Sequence, residues 1–153
     1  MTTSIPRTAL QLRSLIRSSG ELEISLAEVE VPEPAADEVL VRIEATPINP
    51  SDLGLLFGAA DVSKAKVSGS AGRPVLTAPV PENAMKAMAG RIDKSMPVGN
   101  EGAGVVVKAG SAAAAQALMG RKVAMIGGAM YAQYRCMKAE QCLLLPDDAT
   151  PAD

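Results

Sequence analysis

The sequence of 153 residues contains no histidine and no tryptophan, and it has only two cysteines, Cys136 and Cys142. Without imidazole and with two thiols, the chain can build neither a structural zinc site of four thiolates nor a catalytic zinc site of mixed thiolate and imidazole ligands. The C-x5-C pair is also too sparse for a disulfide framework. We therefore expect two reduced, partly buried thiols and no zinc.

Aromatic residues make up only 2% of the chain, so the core must be aliphatic. Basic and acidic residues nearly balance, at 15 and 17, and no basic cluster interleaves with aromatics, so no nucleic-acid partner is expected. The longest apolar runs, such as 102–107 and 123–130, fall short of the ~20 residues that a membrane helix needs. Because residues 1–6 do not resemble a leader, we expect a soluble, cytoplasmic protein with no membrane partner.

Hydrophobic alternation predicts short strands separated by turns. A hairpin is indicated where Ser18-Ser19-Gly20 separates the segments 10–16 and 22–31. The pattern favours an all-β barrel or sandwich, and the length suggests one domain. The other predicted strands are 38–45, 102–108, 121–126, 130–137 and 141–145.

Helical signals are few. Ser51 or Asp52 could cap a short helix at 53–57, and the segment 81–92 has one helix-like apolar face. The alanine run 112–115 is expected to be a linker between strands rather than a helical turn.

Five short sequence motifs follow one another along the chain. They are Asp-Glu-Val-Leu-Val-Arg-Ile-Glu-Ala at 37–45, Pro-Ile-Asn-Pro-Ser-Asp at 47–52, Gly-Asn-Glu-Gly-Ala-Gly and three valines at 99–107, Gly-Arg-Lys-Val-Ala at 120–124, and Gly-Ala-Met-Tyr-Ala-Gln-Tyr at 128–134. Together they resemble the N-terminal domain of the medium-chain dehydrogenase/reductase superfamily, from about residue 10 to residue 153. The resemblance is greatest to the zinc-independent branch of NADPH-using quinone oxidoreductases and enoyl reductases. Zinc-dependent members carry Cys and His where Asn49 and Asn100 stand.

This resemblance implies a mainly β fold, a GroES-like barrel with short helices, in which 1–153 form the substrate-side domain. The segment at about 58–96 is longer than the loop of most members, so we expect an insertion that rebuilds the pocket wall. The superfamily places a Rossmann domain after this region, whereas the sequence has no G-x-G-x-x-G at a strand-to-helix turn. We therefore expect the nucleotide-binding domain, and most of the NADPH site, to lie outside this chain.

The resemblance assigns three candidate catalytic residues, Asn49, Ser51 and Asn100. The Asn49 amide could donate to a substrate carbonyl or to the nicotinamide ribose, although between two prolines it could also serve only the turn. Ser51 stands at the position of a proton-relay hydroxyl, and a helix N-cap explains it equally well. Asn100 could bond substrate or cofactor, or it could be a turn residue beside glycines.

Three further residues are candidates for the pocket or its support. Asp52 is expected to hold neighbouring backbone donors. Glu101, if buried, needs a partner to offset its desolvation, and Arg42 is a candidate. Tyr131 could border the pocket or belong to the core. The glycines of 99–104 are expected to permit close backbone packing rather than phosphate binding.

Two functions remain open from the sequence. The first is the substrate-side domain of a zinc-independent NAD(P)H-dependent oxidoreductase acting on a quinone or an α,β-unsaturated carbonyl, inactive as this fragment alone. Its expected partners are the small-molecule substrate and the missing Rossmann domain, and the intact protein is expected to be a homo-oligomer. The second is a stand-alone GroES-like interaction or co-chaperone-like module without catalysis, which the fold alone cannot separate from the first.

Overall fold

The computed structural model describes residues 4–152. Within them the chain forms ten β-strands and three short α-helices, which confirms the predicted mainly β class. These residues fall into two compact units. The first unit comprises 4–10, 28–47 and 99–152, and the second comprises 11–27 and 48–98.

The secondary structure follows the chain in this order. The strands are β1 Thr8–Arg17, β2 Glu21–Glu30, β3 Glu38–Ala45, β4 Lys66–Ser70, β5 Arg73–Pro79, β6 Met96–Pro97, β7 Glu101–Ala109, β8 Lys122–Ile126, β9 Tyr134–Lys138 and β10 Cys142–Leu144. The helices are α1 Pro50–Phe57, α2 Glu82–Met85 and α3 Ala113–Gln116, with single 3₁₀ turns at Val62–Lys64, Ala89–Arg91 and Ala139–Gln141.

The first unit is built on a five-stranded antiparallel sheet of order β10-β8-β7-β3-β9. Strand β3 pairs with β7 on one side and β9 on the other. Its residues Val39, Leu40 and Val41 are all buried, so both faces of the sheet are covered at this strand. Among the described residues every buried hydrophobic side chain is aliphatic or contains sulfur, as the composition predicts. The buried core cluster of this unit is Val39, Val41, Val106, Ala115, Val123, Met125, Met130, Met137 and Ala139.

A close backbone approach fixes the pairing of β3 with β7. Gly104 faces Ile43 in the register, and a Cβ added at Gly104 would overlap the carbonyl oxygen of Arg42. A real Cβ atom never approaches a backbone oxygen so closely, so the two strands can pair here only around a glycine. This confirms for Gly104 the expectation of close backbone packing.

The strands of the second sheet lie mainly in the second unit, in the order β4-β5-β2-β1-β6. In this sheet β1 pairs with β2, which is the hairpin that the sequence predicts around the turn Ser18-Ser19-Gly20. One face buries Ile16, Leu22, Ala78 and Val80. Partly buried side chains, including Phe57 of α1, pack against this cluster and attach the helix to the sheet.

Three local predictions differ from the structure, and one hairpin was not predicted. The alanine run forms the helical turn α3, because Ala115 is buried in the core of the first unit. The segment 81–92 divides into α2 and a 3₁₀ turn that contains Gly90, a poor helix former. Strand β9 begins at Tyr134 rather than Met130. The β4–β5 hairpin was not predicted, since β4 is wholly exposed and shows no hydrophobic alternation.

We predict opposite effects for the same substitution at two glycines. Gly104→Ala should lower the free energy of unfolding by about 2 kcal/mol or more, because the strands must separate to admit the methyl group. Gly54→Ala should raise it by up to about 1 kcal/mol, because Gly54 lies inside α1 and its Cβ would meet no other atom. Urea unfolding followed by circular dichroism measures both, and equal shifts for the two variants would contradict the prediction.

Candidate functional site

The amino end of α1 carries three of the candidate residues. Asn49 is the N-cap, with an extended backbone at φ −91° and ψ 157°, and Pro50 occupies the first helical position. Asp52, whose side chain is fully buried, accepts a hydrogen bond from the Asn49 N–H at 2.8 Å. The Asp52 N–H in turn donates to the Asn49 carbonyl at 2.9 Å. These paired bonds fix the chain where it enters the helix.

The helix begins earlier than predicted, because Asn49 is the N-cap while Ser51 and Asp52, the expected caps, lie inside α1. Asparagine is a preferred N-cap, proline at the first position loses no intrahelical bond, and an acidic side chain in the first turn suits the positive end of the helix dipole. Asn49 is half-buried and Ser51 is exposed. The site therefore presents a neutral carboxamide and a hydroxyl beside a buried carboxylate that holds the turn.

The segment Gly99-Asn100-Glu101 lies in the first unit, beside Tyr131. Gly99 has φ +95°, and a Cβ there would come within 2.5 Å of the Tyr131 ring. The Tyr131 hydroxyl donates to the Pro47 carbonyl at 3.0 Å. The Asn100 carbonyl accepts the N–H of Gly127 at 3.0 Å. Tyr131 thus contacts both sequence motifs, 47–52 through Pro47 and 99–104 through Gly99.

A cavity of about 670 Å³ opens on the first unit. Residues 45–47, at and just after the end of β3, and residues 101–103 of β7 line it together, because Ala45 and Ala103 are register partners. Of the lining residues only Glu101 is ionisable, and most of the others are apolar. The remaining lining residues are Ala124, Met125, Ile126, Gln141, Leu143, Pro151 and Ala152.

A larger cavity of about 740 Å³ opens on the second unit, between Glu21, Lys64 and Lys66. None of the six candidate residues lines it. We place the candidate site at the smaller cavity, because Pro47 of the motif 47–52 and residues 101–103 of the motif 99–104 contribute to its wall. Of the six candidate residues, Glu101 alone lines this cavity.

The candidate residues thus fall into two sets. Asn49, Ser51 and Asp52 come together at α1 in the second unit, whereas Asn100, Glu101 and Tyr131 belong to the first unit. Gln141 and Leu143 also line the cavity. Both lie in the predicted strand 141–145, but sequence reasoning did not select them as candidates, because strand alternation does not show which residues reach a cavity.

The suggested ion pair between Arg42 and Glu101 is wrong. Arg42 donates instead to Glu44 on its own strand at 2.7 Å, and this hydrogen bond raises the pKa of Arg42. Glu101 has no ion-pair or hydrogen-bond partner for its carboxylate within residues 4–152, and it is only half-buried, so water at the cavity can solvate it. Arg42 pairs with Val105 in the strand register, too far along β7 to reach Glu101.

Within residues 4–152, no three His, Cys, Asp or Glu side chains lie together in an arrangement that could hold a metal ion. Cys136 and Cys142 are free thiols that donate to backbone carbonyls of Pro32 and Lys138. Burial raises the pKa of Cys136 to about 11, so the thiolate form that binds zinc is disfavoured.

Comparison with protein families gives one match, to the alcohol dehydrogenase GroES-like domain, over residues 35–147. The chain belongs to this family. The match includes β3, α1, β7 and all the residues that line the candidate cavity up to Leu143. The predicted GroES-like fold and family membership are therefore confirmed.

Solved structures share this GroES-like fold at low sequence identity. A protein assigned as an NADPH:quinone reductase from Mesorhizobium loti is 22% identical with a TM-score of 0.61, over 97% of this chain and 40% of its own. The quinone oxidoreductase from Coxiella burnetii is 16% identical with a TM-score of 0.59, over 95% and 39%. The Escherichia coli quinone oxidoreductase complexed with NADPH is 18% identical with a TM-score of 0.55, over 94% and 35%.

The GroES-like chain thus spans 40% or less of the length of these three relatives. A comparison with curated protein sequences gives no match. Among the helices of residues 4–152, none has the length and apolar character needed to cross a membrane.

We predict that Asp52 stabilises the GroES-like domain through its acceptor oxygen. Asp52→Ala should lower the free energy of unfolding by about 1–3 kcal/mol, because the Asn49 N–H loses its partner. Asp52→Asn keeps an acceptor oxygen at the same place and should lose less than half as much. Thermal and urea unfolding compare the two variants, and an equal loss in both would show that the acceptor is not the cause.

We also predict slow alkylation of Cys136. With a pKa of about 11, only about 1% of this thiol is ionised at pH 9, and the thiolate is the form that attacks. The rate of modification by iodoacetamide, followed by peptide mass spectrometry, should rise steadily from pH 8 to pH 11. In urea the rate at pH 9 should increase at least tenfold. A rate that levels off near pH 9 in the folded protein would contradict the raised pKa.

Proposed function

We propose that the chain is the substrate-side domain of a zinc-independent, NAD(P)H-dependent oxidoreductase that transfers hydride to a quinone or an α,β-unsaturated carbonyl. The observation that carries the proposal is the cavity of about 670 Å³ whose wall is shared by the two motifs that flank the substrate site in the superfamily. Its mostly apolar lining suits a neutral organic electrophile. Family membership and the names of the solved relatives support the same reading.

In this proposal the chain's residues orient the substrate and exclude water. The Asn49 carboxamide donates to the carbonyl oxygen of the substrate, or to the ribose of the cofactor, without changing charge. Ser51 and Asn100 supply further polar contacts. Asp52 and Tyr131 support them, through the Asn49 N–H and the Pro47 carbonyl. Glu101 is the ionisable group on the cavity wall.

Bound NADPH would supply the hydride. Because the sequence lacks a dinucleotide-binding loop, the proposal places most of the NADPH site in a Rossmann domain outside this chain. It assigns no role to zinc, since carboxamides replace thiolate and imidazole at positions 49 and 100. The proposed setting is the cytoplasm.

The proposal predicts what the chain can and cannot do alone. Calorimetry of the purified 153-residue chain with NADPH should give no binding in the micromolar range. Metal analysis should find no stoichiometric zinc. Micromolar NADPH binding would place the cofactor site within this chain, and stoichiometric zinc would overturn zinc independence. A heptameric mass in solution would favour the alternative, a GroES-like interaction module.

The complete reading frame tests the activity. We expect its product to oxidise NADPH with a quinone or an enone as acceptor, and Asn49→Ala to lower kcat/KM by about tenfold or more. Asn83→Ala is the matched control, since Asn83 is an exposed asparagine of α2 in the same unit. Equal kinetic constants for the two variants would remove Asn49 from the proposed site. Absence of acceptor-dependent NADPH oxidation by the wild type would overturn the function.

A further inference from the structure

One arginine of the inserted segment holds the carboxyl end of α1. Arg91 donates from Nη1 to the Gly54 carbonyl at 2.9 Å, and from Nη2 to the Leu55 carbonyl at 2.6 Å and the Ser14 hydroxyl at 3.1 Å. Ser14 is fully buried, and its hydroxyl donates to the Leu56 carbonyl at 2.8 Å. Three successive carbonyls near the end of the helix therefore have side-chain donors.

Arg91 makes these contacts without an acidic partner. Within residues 4–152 no carboxylate forms an ion pair with it, and its Nε is buried without a hydrogen bond. Burial lowers the pKa of the guanidinium. The carbonyl ends of a helix carry partial negative charge, and here they are the groups that compensate this half-buried cation. The hydrogen bonds of the Arg91 side chain therefore go to α1 and to Ser14, which itself bonds α1.

The helix terminus also leaves room for the arginine. Gly58, which ends α1, has φ +57°, a conformation that favours glycine. A Cβ at Gly58 would lie 3.3 Å from Nη1 of Arg91 and 3.1 Å from Sδ of Met88. The glycine therefore allows both the turn and the approach of the guanidinium.

Helix α1 has only eight residues, and helices of this length are marginal without outside contacts. Its amino end is tied by the bond from the Asn49 N–H to Asp52. We propose that Arg91 is a positioning residue of the proposed active site, which holds the carboxyl end of α1 and thereby fixes Asn49 and Ser51 at its amino end. The inference rests on the proposed function for the meaning of those two residues. The segment 58–96, which the sequence analysis expected to rebuild the pocket wall, would then support the site from α1, although none of its residues lines the candidate cavity.

Hydrogen exchange of the ¹⁵N-labelled chain tests the proposal without any turnover. Arg91→Met removes the donors and keeps a long side chain, while Arg91→Lys keeps the charge but cannot reach several acceptors at once. Arg73→Met is the matched control, because Arg73 is an exposed arginine of β5 in the same unit. The informative amides are those of Asn49 and Asp52 at the amino end and Gly58 at the other.

We expect Arg91→Met to accelerate exchange at all three amides by about tenfold or more, while amides of the β2–β5 ladder change by less than about twofold. The control should leave the three amides unchanged. Acceleration confined to Gly58 would reduce Arg91 to a local cap and overturn the positioning role. Equal acceleration throughout the second unit would assign Arg91 to general stability and overturn it as well.

If Arg91→Met does not fold, Arg91→Lys decides the question. About threefold faster exchange at Asn49 and Asp52, relative to the ladder amides, supports the proposal, and no change at these two amides refutes it. Because the readout needs neither NADPH nor substrate, failure of the Arg91 inference and failure of the reductase assignment are separate results.

Discussion

The pairing of β3 with β7 is the contact on which the first unit and its cavity depend. The two strands can approach only because Gly104 has no side chain to meet the Arg42 carbonyl. The resulting register sets Ala45 opposite Ala103. Residues 45–47 at the end of β3 and residues 101–103 at the start of β7 therefore line the same wall of the cavity. Without this register the two motifs would have no common cavity.

A different constraint governs α1. A helix leaves about four N–H groups and four carbonyls unsatisfied at its ends, which in an eight-residue helix is about half of its backbone polar groups. The side chains that satisfy these groups therefore determine whether the helix holds its shape. Asp52 serves the amino end from within the helix, whereas Arg91 serves the carboxyl end from 34 residues beyond the last helical residue, Phe57. The first contact is local in sequence and the second is not.

Much of the fold could be predicted because its strands bury one face. Val39 and Val41 are two residues apart in β3, and both are buried in the core of the first unit, so their spacing predicts the strand. The β1–β2 hairpin is predicted by its turn at Gly20. The β4–β5 hairpin was not predicted, because the exposed strand Lys66–Ser70 has no buried face and therefore no hydrophobic alternation. The turn α3 was missed for another reason, since it forms where tertiary packing buries Ala115. Local propensity did not distinguish it from a linker.

The sequence by itself determined the family, the aliphatic core and the absence of histidine, because these depend on residue identity and on motif order. It predicted α1 to begin after a cap at Ser51 or Asp52, two or three residues beyond the observed N-cap Asn49. Only the tertiary structure decided that Arg42 pairs with Glu44, that Gln141 and Leu143 line the cavity, and that Arg91 reaches α1. These contacts follow from strand register and chain path, which join residues far apart in the sequence and leave no local pattern.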